Sequence, residues 1–284
     1  MKAFKRVVMA VVLVTVVAGM GANASAEIKF GALPHLTVAE LQAMYTPLVE
    51  YLARETGEKV VLVIPKDFKA FEDAVKAGQI DVGLANPLVY VQLKNHLNID
   101  PLALISEAQS GTRLRGIMIV RKDSGISRLQ DLKGKKISFV DKDSGAGYMF
   151  QVLLLSRAGL DVKNDVAMLP FAKNHDNVAL AVFNKTADAG GIRESAMEKM
   201  KDKVDLAQLR IVGYTDYFPN WPVFSTPKLN KETAAKIQAA LLKLKPNDPQ
   251  NEKILGRAKL TGFIAVADKE YDDLRKAAKI AGAL

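Results

Sequence analysis

The chain has 284 residues, with 40 lysines and arginines against 31 aspartates and glutamates, a formal charge of +9, and no cysteine. Lack of cysteine excludes disulfides, thiolate metal sites and thiol nucleophiles. The positive surplus is spread along the chain, as at Lys133-Gly134-Lys135-Lys136 and 199–203, which marks a mild bias toward anions and no nucleic-acid footprint.

The chain opens with Met1-Lys2-Ala3-Phe4-Lys5-Arg6, continues with an apolar run over 7–18 broken only by Thr15, and reaches Ala24-Ser25-Ala26 before Glu27. This is the pattern of a secretory signal peptide over 1–26, cut after Ala26. The run is short for a membrane span, which takes about 20 residues; an uncleaved anchor is the competing reading. With no cysteine at the cleavage site to carry a lipid, a soluble periplasmic protein is expected. Cleavage leaves 258 residues, 37 basic and 31 acidic, a charge of +6, a length that suits one large domain or two lobes.

Residues 28–33 read as a first strand, followed by the loop Pro34-His35-Leu36. Thr37 with Glu40 forms a capping box that starts a helix. It should run to about Thr56, kink at Pro47 and end at Gly57. A valine-rich strand follows over 59–64. Asp67 caps a helix over 68–77 that Gly78 stops. Residues 81–85 are a short buried strand, and Asn86-Pro87 begins the next helix, with proline in its first turn. Further strands are expected at 102–106 and 116–120, and a short helix at 127–132. Next come a strand at 136–140, a polar loop at 141–147 and a largely apolar helix over 148–158 closed by Gly159. Then come a strand at 166–171, a helix at 176–184, a strand end at 187–190 and a helix from about Glu194. A strand at 209–214 and a returning strand at 223–225 precede closing helices at 231–244, 251–258 and 268–281.

Such alternation predicts an α/β fold of mostly parallel sheets covered by helices on both faces. Two such sheets meet at a crevice, and their ligands sit beyond the carboxyl ends of the strands. Ser144-Gly145-Ala146-Gly147 falls at one such end, where a strand turns into a helix. The first amides of a helix have no partner within it, and the helix dipole adds partial positive charge there. Two glycines let a ligand approach that backbone. The stretch reads as an anion cradle, with an ordinary glycine-rich turn as the alternative.

Competing chemistries find little support. Lys142 and Ala146 occupy the glycine positions that a nucleophile elbow around Ser144 would need. No P-loop is present. The three histidines, His35, His96 and His175, have no metal-binding spacing. No cofactor is implied. His175 follows a strand much as Ser144 does and reads either as a donor to an anion or as a helix cap. Arg115 and Arg193 reach a crevice or remain solvated. The aromatic loop Tyr217-Phe218-Pro219-Asn220-Trp221-Pro222 walls a pocket or packs as a crossover segment.

Several stretches together resemble the periplasmic phosphate/phosphite/phosphonate-binding proteins of ABC transporters, across nearly the whole mature chain. They are Tyr45-Thr-Pro-Leu-Val-Glu-Tyr-Leu52, Asp81-Val-Gly-Leu-Ala-Asn-Pro-Leu88 and, after Arg128, Leu129-Gln-Asp-Leu-Lys-Gly-Lys-Lys136. Three more complete the set: Asp143-Ser-Gly-Ala-Gly-Tyr148, His175-Asp-Asn-Val-Ala-Leu-Ala-Val182 and Ala187-Asp-Ala-Gly190. The resemblance implies a two-lobed periplasmic-binding-protein fold with crossing hinge strands. Residues 27–116 and 222–284 would form lobe 1 and 117–221 lobe 2. It implies a non-enzymatic, monomeric binder of a small anion that works with a membrane permease.

The family pattern Ser-Thr-Ser-Gly is here Ser144-Gly145-Ala146-Gly147, which keeps one hydroxyl of three. His175 matches the family's ligand histidine. Phe68 stands where phosphonate binders often have tyrosine. Ser195 and Trp221 replace the acids that hold an amine in aminoalkyl-phosphonate binders, which argues against such a ligand. Asn86 would shape the pocket. Hydrogen bonds to charged groups contribute about 1.5–3 kcal/mol each. The lost hydroxyls would weaken phosphate binding greatly unless Arg115 or Arg193 compensates. An anion with a larger apolar part against Phe68 and Trp221 is expected to fit better. Three other readings remain: a sensory binding module for a receptor kinase, a binder of a non-phosphorus organic anion, and a hydrolase of organophosphorus compounds using Ser144.

Overall fold

The structure, a computed structural model, describes residues 27–284. The chain begins with β1 (Ile28–Ala32), α1 (Val38–Thr56), β2 (Val60–Val63), α2 (Phe68–Lys76), β3 (Val82–Leu84), α3 (Pro87–Lys94) and β4 (Asp100–Glu107). It crosses through a short strand, β5 (Arg113–Leu114), into β6 (Gly116–Arg121), β7 (Lys136–Ser138), α4 (Phe150–Arg157) and β8 (Ala167–Met168). Next come α5 (His175–Phe183), β9 (Ala189–Arg193), α6 (Glu194–Lys199) and β10 (Leu209–Tyr214). A second short strand, β11 (Phe218–Pro219), returns it to β12 (Pro222–Ser225), α7 (Lys231–Lys243), α8 (Glu252–Leu255), β13 (Leu260–Ile264) and α9 (Asp272–Ile280).

These strands form two sheets, β13-β4-β12-β3-β1-β2 and β10-β6-β9-β7-β8, with β5 and β11 paired as an antiparallel ribbon between them. The α/β architecture expected from the alternation is present, in the two lobes that the resemblance implies, but the sheets are not mostly parallel as expected. The ladders are mixed. β2-β1-β3 and β8-β7-β9 run parallel. β12 runs against both β3 and β4, because it re-enters the first sheet from the other lobe. β6 likewise runs against β9 and β10.

Each sheet is covered on both faces. In the first, Leu41, Leu48 and Leu52 of α1 pack with Ile237 and Leu241 of α7 on one side. Phe71 and Val75 of α2, Leu88 of α3 and Leu274 of α9 cover the other. In the second sheet α5 contributes Val178 and Val182, while Phe139 and Leu155 fill the opposite face. The cluster under α3 continues into the second lobe through Ala146, Met149, Phe150 and Leu153, and it includes Leu114 and Phe218 of the ribbon. One apolar body thus joins the lobes on the ribbon side.

Local chemistry explains most element limits. The Thr37–Glu40 capping box is formed in both directions, and Gly57 ends α1 with φ +71°. Pro47 lies inside α1, as expected, and the neighbouring Tyr45, Leu48 and Leu52 face the core. The strand expected at 166–171 shrinks to the two exposed residues of β8, at the sheet's edge. The helix expected at 251–258 is regular only over α8, and β13 follows unanticipated. A Cβ on Gly262 would lie 2.4 Å from the Leu244 carbonyl oxygen, so this strand has glycine where another backbone crosses closely.

Candidate functional site

The carboxyl ends of β1, β2, β3 and β4 in one sheet and of β7, β8 and β9 in the other lead into the segments that carry the expected site residues. After β7 the chain turns through Asp141–Asp143 to Ser144, the N-cap of a wide turn, Gly145–Met149, that leads into α4. Met149 N–H donates to Ser144 O at 3.1 Å, and Phe150 N–H donates to Gly145 O. These are five-residue spacings, which recur at functional positions in helices. The regular helix expected from Tyr148 therefore starts only at Phe150. Ser144 Oγ accepts from Gly147 N–H at 3.2 Å. Among the described residues the amides of Gly145 and Ala146 donate to nothing.

The turn is held from three sides. Gln151, fully buried, donates from Nε2 to Ala146 O at 2.8 Å and to Ile117 O at 3.2 Å. Val140 N–H donates to Gly147 O at 3.3 Å. From the other lobe, Asn86 Nδ2–H donates to Asp143 O at 3.1 Å, while its Oδ1 caps α3 through Val89 N–H. Asn86 spends its side chain on tying the lobes together. Leu88 also reaches across: a Cβ on Gly145 would lie 3.7 Å from its Cβ.

His175 is the first residue of α5. Its Nδ1 accepts from Arg193 N–H at 3.1 Å, so in the neutral ring the proton resides on Nε2. Burial, then the positive charges of Arg193, His35 and Lys199, push its pKa down to about 3. His35, in the loop after β1, has the opposite tautomer. Its Nδ1 lies 3.0 Å from Leu33 O, and a carbonyl can only accept, so Nδ1 carries the proton and Nε2 is bare. Burial foremost pushes its pKa down to about 4, against the Leu33 carbonyl, which favours the charged ring. Its ring meets Trp221 edge-on, with centroids 4.7 Å apart. Trp221 and Phe68 both pack on the apolar cluster that contains Ala146 and Leu88.

Arg193, at the end of β9, does not present a free guanidinium. Its Nη2 donates to Glu107 Oε2, to Ser110 Oγ at 3.3 Å and to Asn220 Oδ1 at 3.2 Å. Asn220 Nδ2–H donates in turn to Glu107 Oε2 at 3.2 Å. The side chains of Arg193 and Glu107 are only 14% and 20% exposed. Burial acts to raise the Glu107 carboxyl, but Arg193, Ser110 and Asn220 together hold it below the usual carboxylate range. Arg115 is likewise committed: it binds both oxygens of Glu194, at 2.8 and 2.6 Å, and lies over the rings of Tyr214 and Tyr217. A cavity of about 100 Å³ lies here, bordered by Ser110, Leu114, Arg115, Arg193, Ser195 and Tyr217. Neither residues 144–147 nor His175 border it.

The structure thus joins His175, Arg193, Trp221 and His35 in one polar cluster, and joins the Ser144 turn to Asn86 in another contact. Arg115 stands apart, beside the cavity. Sequence reasoning missed Glu107 and Ser110, which share the turn after β4, named Asn220 only as part of the aromatic loop, and passed over His35 once metal spacing had been excluded.

Residues 30–271 match the family described as ABC transporter, phosphonate, periplasmic substrate-binding protein. The chain belongs to this family. It is the solute-binding component of an ABC transporter, which carries its ligand instead of transforming it. It is 28% identical over 275 residues to a phosphate-import protein of Mycolicibacterium smegmatis, covering 90% of this chain and 86% of that protein. It is 24% identical to the tetrathionate sensor histidine kinase of Salmonella typhimurium, over 72% of this chain but 37% of that longer protein. Its fold matches a Prochlorococcus marinus protein solved with methylphosphonate, at a TM-score of 0.78 and 16% identity, covering 91% of this chain and 99% of that one. A periplasmic location accords with the family; the cleavage expected after Ala26 lies outside the described residues.

The two neutral histidines have a consequence for stability. In the unfolded chain both titrate near 6.5, and in the folded protein near 4 and 3. Their folded pKa values are depressed, so their full contribution is present above pH 6.5 and is lost as the pH falls through that window. The loss is expected to be on the order of a few kcal/mol. Melting temperature measured against pH should fall across this range, and the His35→Gln/His175→Gln double variant should flatten the fall.

Proposed function

We propose that the protein captures a phosphonate-type oxyanion between its lobes and delivers it to the membrane permease of its transporter. Residues 27–116 with 222–284 act as one lobe and 117–221 as the other, in a single copy. The observation that carries this reading is the pair of undonated amides, Gly145 and Ala146, beside the Ser144 hydroxyl at the carboxyl end of β7. His175 adds an Nε2–H donor. Gly147 supplies the close backbone, and Asn86 holds the turn. Phe68 and Trp221 form the apolar wall for the ligand's substituent. Since Arg115 and Arg193 are bound to Glu194 and Glu107, the anion is held chiefly by neutral dipoles fixed in advance. Such donors need no reorganisation on binding.

A thermal-shift panel of phosphate, phosphite and alkylphosphonates tests this. A ligand at roughly 1,000 times its dissociation constant adds about 4 kcal/mol. His175→Ala should abolish that shift. It should cost the unliganded protein only about 1 kcal/mol, the value of one internal hydrogen bond. A retained shift removes His175 from the site.

A second reading, a sensory module presenting the same ligand to a receptor kinase, is favoured by the likeness to the sensor kinase over 72% of this chain. Co-purification with permease or with kinase separates the two.

A further inference from the structure

His35, in the loop after β1, and His175, at the start of α5, come one from each lobe and belong to one connected cluster: the His35 ring meets Trp221, the Trp221 backbone N–H donates to Asn220 Oδ1, that oxygen also accepts from Arg193 Nη2, and the Arg193 amide donates to His175 Nδ1. Their Nδ1 atoms are fixed by backbone partners of opposite kind: the Leu33 carbonyl, which can only accept, and the Arg193 amide, which can only donate. Their outer atoms are therefore also opposite. His175 offers Nε2–H and His35 offers a bare Nε2 lone pair. Neither Nε2 bonds to an atom of the described residues, and neither is among the side-chain atoms sealed from solvent without a partner.

We propose that His35 and His175 form a matched acceptor and donor that selects the singly protonated oxyanion, a hydrogen phosphonate or hydrogen phosphate monoanion. The proposal rests on reading the cleft as a phosphonate-type site. A dianion brings only acceptor oxygens. Against it, His175 Nε2–H is satisfied, while the His35 lone pair meets a negative oxygen with no proton between them. A monoanion resolves this, because its P–OH donates to His35 Nε2 and an ionised oxygen accepts from His175 Nε2–H.

Protonating His35 instead would also supply a donor, but the surroundings oppose it. The ring is held against Trp221. Arg193 from the end of β9 and Lys199 from α6 act against a positive ring, and burial acts in the same direction. Glu107, from the end of β4, and Glu40, from the first turn of α1, favour the charge, but the first is engaged by Arg193 and the second by Thr37. His175, from the start of α5, is held neutral by the same cations. The proton that completes the hydrogen bond must then arrive on the ligand.

Calorimetric titration with methylphosphonate and methanesulfonate between about pH 5.5 and about pH 9 tests this. Methanesulfonate has nearly the same shape and a single charge, but no acidic proton. Above the second ionisation of methylphosphonate, its affinity should fall about tenfold per pH unit. At about pH 6 methanesulfonate should bind about 10–100-fold more weakly, the value of one hydrogen bond to a charged ligand. His35→Phe keeps a ring against Trp221 but removes the acceptor. It should weaken methylphosphonate binding at low pH by a similar factor and flatten the pH slope. Methylphosphonate affinity that is level or rises with pH, or equal affinity for methanesulfonate, overturns the inference and leaves the functional reading standing. Failure of methylphosphonate, phosphite and phosphate to bind at any pH overturns both.

Discussion

Arg193→Met is expected to lower stability by roughly 3–5 kcal/mol, the cost of breaking a mostly buried ion pair by removing one partner. The variant leaves the Glu107 carboxylate, which is 20% exposed, with only Ser110 and Asn220 as donors. Their dipoles cannot replace a guanidinium. At this chain length, about 2–4 °C of melting temperature accompanies each kcal/mol, so a fall on the order of 10 °C is expected. The Arg193→Met/Glu107→Leu double variant distinguishes an abandoned charge from a stabilising bond. An apolar pair of similar volume is often neutral or better, so most of the loss should return. If the double variant melts as low as the single one, the pair contributes real cohesion between β9 and β4. If the single variant melts like the parent, the burial assigned to Glu107 is wrong.

Gly147→Ala should reduce anion binding by about 100-fold or more, since displacing a site by about 1 Å can cost two orders of magnitude. A Cβ at Gly147 would lie 2.4 Å from Val140 Cγ2 and 2.7 Å from both Val140 Cβ and Ser144 Oγ. Val140 is β-branched and buried, so it has little freedom to yield. The turn must move, taking with it the Ser144 cap and the amides of Gly145 and Ala146. Overpacking of this kind costs about 1–3 kcal/mol of stability, so the variant should still fold and its binding can be read directly. Ala146→Gly leaves every amide in place and should bind within a few-fold of the parent. Unchanged calorimetry for Gly147→Ala would move the anion site away from this turn.

Much of the lobe organisation could be read from the residues, because it depends on local signals. The Thr37–Glu40 box, the Asn86-Pro87 start and Gly57 each mark an element end through chemistry within a few positions. Strand β13 escaped notice because Thr261-Gly262 carries no alternation. Its place depends on the backbone at Leu244 and on pairing with β4, far away in sequence. The site divides in the same way. The Ser144 turn could be located because a strand, two glycines and a helix follow one another. Arg115 and Arg193 stood as the residues that could offset the lost hydroxyls, and the sequence held no sign that Glu194 and Glu107 would claim them. Glu107 lies 86 residues from Arg193 and 113 from Asn220, so only the folded chain brings them together. The tautomers of His35 and His175 depend on backbone atoms met in three dimensions, which no pattern of side chains records.

The apolar body that runs beneath the ribbon limits how the two halves can move. Phe150 from one half rests on Phe218 of the ribbon, with centroids 4.3 Å apart, and Leu88 of the other half belongs to the same packing. Pulling the halves straight apart would wet that whole surface, at about 25 cal/mol for every Å² exposed. Swivelling about it keeps the surface dry, while polar contacts between the halves, among them the Asn86–Asp143 tie and the Arg193 bonds to Glu107 and Ser110, let go. Rotation about that surface is therefore a cheaper opening than separation of the halves.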